Sequence, residues 1–121
     1  MDKNSKIFGV DISKDYFDVV DQDNNHSQYG NDARGFSKFL EHLTSEDLVV
    51  MEATGYYHYR LAQFLSQHSI VCSVVNPLSV KRFIQMKLAK TKTDKSDAKA
   101  ICEYAQVNTV PVYSHVDETQ A

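Results

Sequence analysis

The most constraining feature of this sequence is an alternation that occurs twice between residues 48 and 88. A short apolar run, Leu48–Met51, is followed by a helical stripe at Tyr57, Leu61, Phe64 and Leu65. A second run, Ile70–Val75, is broken by Asn76-Pro77 and followed by a stripe at Val80, Phe83, Ile84 and Leu88. Apolar residues at i, i+3, i+4 and i+7 cover one face of a helix, whereas a short continuous apolar run suits a strand buried on both faces. Strands joined through helices return to the same end of a sheet and pair in parallel. This part of the chain must therefore build a sheet with helices packed against it.

Upstream, Lys6–Ile12, Tyr16–Val20 and roughly Ser27–Gly30 follow one another at hairpin spacing, with the polar linker Asp21–Asn25 between the last two. They predict three antiparallel strands. Phe36, Phe39, Leu40 and Leu43 predict a helix across Arg34–Leu43. Downstream, Ala98, Ile101, Cys102 and Ala105 predict a last helix within Lys90–Gln106, and the periodicity stops after Val107. The order β-β-β-α-β-α-β-α-α predicts an α/β domain, a mixed five-stranded sheet flanked by helices. It is the order of the ribonuclease-H-like fold, in which the first strand is central and the fourth lies beside it.

At 121 residues the chain is expected to form one domain with a real core. No apolar run is long enough to span a membrane, and Met1-Asp2-Lys3-Asn4 opens no signal peptide. Cys72 and Cys102 form no Cys-x-x-Cys pair and lie in apolar runs, as reduced core residues of a cytoplasmic protein would. The net charge is −3, yet Lys81, Arg82, Lys87, Lys90, Lys92, Lys95 and Lys99 crowd one segment against only Asp94 and Asp97. Such a local basic patch suits nucleic-acid phosphates, although a solvated polar helix face has the same composition.

Four carboxylates carry the chemistry. Asp94 and Asp97 stand three residues apart at the head of the last helix, where acids also serve as caps. Asp11 and Glu52 end apolar strands, positions that disfavour acids unless they simply meet water. In the expected fold, the first and fourth strands would bring Asp11 and Glu52 close at one end of the sheet. Hard oxygen ligands gathered there suit Mg²⁺, with Mn²⁺ substituting, in phosphoryl transfer. The five histidines have no zinc spacing. The four glycines form no phosphate-cradling loop, which argues against a sugar-kinase or actin-like ATPase half.

Gly9-Val10-Asp11-Ile12-Ser13-Lys14, Glu52-Ala53-Thr54-Gly55-Tyr56-Tyr57 and Lys92-Thr93-Asp94-Lys95-Ser96-Asp97-Ala98 resemble, in order and spacing, the N-terminal domain of DEDD transposases. These are the Piv/MooV-type recombinases of insertion-sequence family one-ten, and the likeness runs from about Lys6 to Val107. It implies a RuvC-like domain in which Asp11, Glu52, Asp94 and Asp97 are catalytic and bind divalent metal. It also implies excision and insertion of a mobile DNA element through a circular intermediate, guided by a structured bridge RNA. The full-length protein is expected to be a homo-oligomer.

Family members continue into a second domain that bears a serine thought to attack DNA. Residues 1–109 are therefore expected to be the catalytic domain, and residues 110–121 a linker toward such a domain. Ser13 and Ser96 do not stand in for that serine. Two alternatives stay open: a stand-alone RuvC-like Holliday-junction resolvase, or a non-catalytic nucleic-acid-binding module whose acids are caps and strand ends. Tyr56 and Tyr57 could stack on bases, but the spacing of Tyr57 predicts a core position.

Overall fold

The computed structural model describes residues 6–53, 55–88 and 97–108, the side chains of 87, 88 and 97 aside. Its order is β1 (Ile7–Ile12), β2 (Tyr16–Asp21), β3 (His26–Gly30), α1 (Ala33–Leu40), β4 (Leu48–Glu52), α2 (His58–Gln67), β5 (Val71–Val75), α3 (Pro77–Leu88) and α4 (Asp97–Val107). The five strands form one sheet in the order β3-β2-β1-β4-β5. β1 pairs antiparallel with β2 and parallel with β4, so the first strand is central and the fourth lies beside it, as the element order predicts.

Strand alternation splits the core into two layers. Phe8, Val10 and Ile12 of β1 join Phe17, Phe39, Met51, Leu61 and Leu65 in the layer beneath α1 and α2. Val50 and Val75 on the opposite face pack against Val80, Ile101 and Ala105 of α3 and α4. The first layer is rich in rings. Phe39 meets Phe8, Phe17 and Tyr29 with centroids 6.0, 5.6 and 5.4 Å apart.

The ends of the elements follow local chemistry. Asp32 caps α1, its carboxylate accepting from the Gly35 amide at 2.8 Å. Asn76 accepts from the Leu78 amide at 2.7 Å, and Pro77, which has no N–H to leave unpaired, takes the first helical position of α3. The Asn-Pro pair thus ends β5 and starts α3. α1 is shorter than the Arg34–Leu43 expectation, because after Leu40 the His42 and Leu43 amides bond back three residues as a tightening turn. Leu43 still packs on the core from that turn.

α4 lies directly on β1. A Cβ at Gly9 would overlap the Ala98 carbonyl oxygen and the Cys102 amide, and would sit 2.8 Å from the Cys102 Cβ. Gly in a strand interior often marks such a close backbone approach. Ala98, Ile101, Cys102 and Ala105 are all buried, so the stripe expected from their spacing is the packed face. The Cys102 Sγ lies 3.3 Å from the Ile7 carbonyl oxygen. With Ala98 over Gly9 and Cys102 reaching Ile7, α4 runs against the direction of β1. Its first residue therefore falls toward the C-terminal end of β1.

Candidate active site

That end of the sheet holds Asp11 and Glu52. Gly9 is paired with Val50 and Val10 with Met51. One register step further sets Asp11 beside Glu52, on neighbouring strands about 4.8 Å apart. Period-two alternation puts Asp11 on the face of Gly9 and Glu52 on the face of Val50, the face that α4 covers. Both acids are half-buried. Asp97 opens α4 at the same end of the sheet. The structure thus brings together two of the four predicted carboxylates and the backbone of a third. Asp94 lies outside the described residues, as does the side chain of Asp97.

The donor chemistry at this edge fits a hard divalent cation, since adjacent carboxylates offer oxygen ligands. Among the described residues, no three His, Cys, Asp or Glu side chains form a group that could hold a metal ion.

Asp18 was not singled out from sequence. It sits directly opposite Asp11 across the β1–β2 pair, so it is a further carboxylate on that face. Its Oδ1 accepts from Gln28 Nε2 at 2.9 Å and lies 3.6 Å from His26 Nε2. The hairpin register was the signal that could have found it. The Ser13 amide and hydroxyl both bond the Tyr16 carbonyl, at 2.9 and 2.8 Å, and so fix that register.

Of the predicted basic contacts, Lys81 and Arg82 are exposed on α3, and Arg82 lines a groove of about 360 Å³ with Phe83, Met86 and Tyr104. Lys99 is tied down, donating to Asn24 Oδ1 at 2.9 Å and standing 3.7 Å from the Glu103 carboxylate. Lys90, Lys92, Lys95 and the Lys87 side chain lie outside the described residues. Tyr57 departs from its expected core position. It precedes the first helical residue of α2 and is 41% exposed, because the stripe that α2 buries starts at His58.

The cysteines are free and buried. Burial pushes the Cys72 thiol up to about 11 and also raises that of Cys102, so both stay protonated and unreactive near neutral pH. No helix among the described residues is long and apolar enough to cross a membrane.

A mixed sheet ordered β3-β2-β1-β4-β5, with acids at the adjoining ends of β1 and β4, defines a ribonuclease-H-like domain of RuvC type. Two solved structures share this fold. RuvC of Thermus thermophilus matches with a TM-score of 0.57 at 13% identity, over 89% of this chain and 99% of its own. T. thermophilus RuvC in complex with Holliday junction substrate matches with a TM-score of 0.56 at 13% identity, over 91% and 100%.

Residues 8–121 match the family model described as "Transposase" of the DEDD IS110 type, and the chain belongs to that family. Pilin gene-inverting proteins of Moraxella lacunata and Moraxella bovis are each 31% identical to it over 114 residues, 87% of this chain. The chain spans 35% of the length of these curated relatives.

Proposed function

We propose that residues 1–109 form the N-terminal catalytic domain of a DEDD transposase that excises and inserts a mobile DNA element. Residues 110–121 would lead toward a second domain. The observation that carries this reading is the side-by-side register of Asp11 and Glu52 beneath the end of α4 that Asp97 opens. Mg²⁺ would be held by Asp11, Glu52, Asp94 and Asp97, with Mn²⁺ able to substitute. When bound, it supplies positive charge at the reacting phosphate and its leaving oxygen.

The chain's own contribution is placement. β1 and β4 would hold two carboxylates on neighbouring strands, and the close seat of α4 on Gly9 would set the height of the helix end that Asp97 opens. Lys81, Arg82, Lys87, Lys90, Lys92, Lys95 and Lys99 would supply phosphate contacts, with Lys99 first releasing Asn24. The relatives carry the name pilin gene-inverting protein, and inverting a gene requires DNA strand exchange. A bridge RNA would choose the DNA sites, and a homo-oligomer in the cytoplasm would hold both DNA ends.

The test is a strand-exchange assay in the full-length protein with Asp11→Asn and Glu52→Gln. Both variants should lose the reaction while keeping the wild-type circular dichroism spectrum. Retained strand exchange in either would overturn the assignment. Wild-type cleavage of a four-way junction without transposition would instead favour a resolvase.

A further inference from the structure

All four exposed tyrosine side chains among the described residues lie at the carboxylate end of the sheet. Tyr16 opens β2 and is 46% exposed; Tyr56, Tyr57 and Tyr59, just after β4, are 80, 41 and 51% exposed. Single exposed aromatics are ordinary, but such a cluster spends ring area on solvent that would otherwise be buried. The backbone at Tyr57 is tied to the neighbouring turn. The Asn31 side-chain amide reaches the carbonyls of Ser13, Lys14 and Tyr57 at 3.1, 3.4 and 3.5 Å. The Asn31 backbone N–H also donates to the Asp15 carbonyl at 2.9 Å. One residue thereby clasps the turn that follows Asp11 to the loop that follows Glu52. Tyr59 is oriented as well, its ring stacked on the buried His58 imidazole with centroids 4.6 Å apart and planes 24° apart.

We propose that Tyr56, Tyr57 and Tyr59 form a platform on which unpaired DNA bases stack beside the carboxylate edge. This rests on the reading of that edge as a DNA-processing site. A base within a duplex shows a protein only its edges, whereas an unpaired base offers a π-face to a ring. Among the described residues, the cations next to these tyrosines in the chain are Lys14 and Arg60, and the Arg60 guanidinium already lies 5.9 Å from the Phe36 ring centroid. Exposed rings thus outnumber cations among the described residues of this surface, which favours opened nucleotides over intact duplex. Holding the nucleotides that flank a phosphate would fix that phosphate's position relative to Asp11 and Glu52.

The test titrates this chain against a single-stranded oligodeoxynucleotide containing 2-aminopurine, a fluorescein-labelled duplex of the same sequence, and the matching RNA strand. The chain has no tryptophan, so protein emission does not obscure the probe. Tyr56→Ala and Tyr57→Ala should each weaken single-strand binding by about 5- to 150-fold, and Tyr56→Phe should hold it within about 3-fold of wild type. Duplex affinity and the salt dependence of binding should be unchanged in all three, since no phosphate contact is removed. Single-strand binding unaffected by either alanine overturns the platform and, with duplex binding intact, leaves the proposed catalytic site standing. Equal losses for strand and duplex overturn it too. RNA bound more tightly than DNA with the same tyrosine dependence overturns the assignment to DNA. No binding of the single strand by wild type overturns the platform, and the strand-exchange assay on Asp11→Asn and Glu52→Gln decides the catalytic reading separately.

Discussion

Gly9→Ala is the substitution whose effect follows most directly from the structure. The added Cβ would meet the Ala98 carbonyl oxygen, the Cys102 amide and, at 2.8 Å, the Cys102 Cβ. Overpacking ordinarily costs about 1–3 kcal/mol, because side chains yield. Here the first two obstacles are backbone of α4, so relief requires the helix to lift from β1 and expose part of the Ala98, Ile101 and Cys102 face. We expect a loss of about 3 kcal/mol or more, which for a domain of this size lowers the melting temperature by roughly 10–15 °C. Thermal and urea unfolding followed by circular dichroism would read it. Gly55→Ala is the control: nothing lies within 4 Å of its Cβ position, and φ of +58° leaves only a conformational cost of about 1–2 kcal/mol. Adding Cys102→Ala should not rescue Gly9→Ala, since the backbone obstacles remain. A Gly9→Ala protein melting within about 3 °C of wild type would refute the reasoning.

Two titrating groups make further predictions. Burial holds the His58 imidazole below its ordinary 6.5, so the unfolded chain takes up a proton that the folded chain resists. Stability should be full above pH 6.5 and fall as pH drops below it, and His58→Phe should remove that part of the pH dependence in urea titrations. For Asp21, burial raises the carboxyl, but hydrogen bonds from the Asn25 amide and side chain and the Asp23 amide, with the charge of Lys6, outweigh it and leave the group below 3.8. Its stabilisation is present above pH 3.8 and is lost as pH falls through the folded value. Asp21→Ala should cost about 2 kcal/mol in urea unfolding at pH 7, since donors at Asp23 and Asn25 lose their acceptor.

Strand runs and helical stripes were legible in the sequence because burial writes a period into it, and the topology followed from their order. What escaped was set by contacts between distant residues. Asp21 reads as the start of a polar linker, yet it closes β2 buried at 7% exposure, because its carboxylate gathers the turn behind it. Gly9 reads as an interruption of a strand, and only α4 shows why no side chain fits there. Tyr57 matched a helical stripe by spacing, but the chain enters α2 one residue later. Asp11 and Glu52 were legible as acids ending apolar strands. That they adjoin rests on the parallel register of β1 and β4, which no local pattern encodes.

Mn²⁺ binding by calorimetry, on the wild-type chain and on Asp11→Asn, Glu52→Gln and Asp97→Asn, tests the central claim most directly. The account predicts that wild type binds Mn²⁺ and that each substitution abolishes or sharply weakens binding, with circular dichroism unchanged. Equal binding in all four proteins would show that Asp11, Glu52 and Asp97 are not joint ligands, and would contradict it.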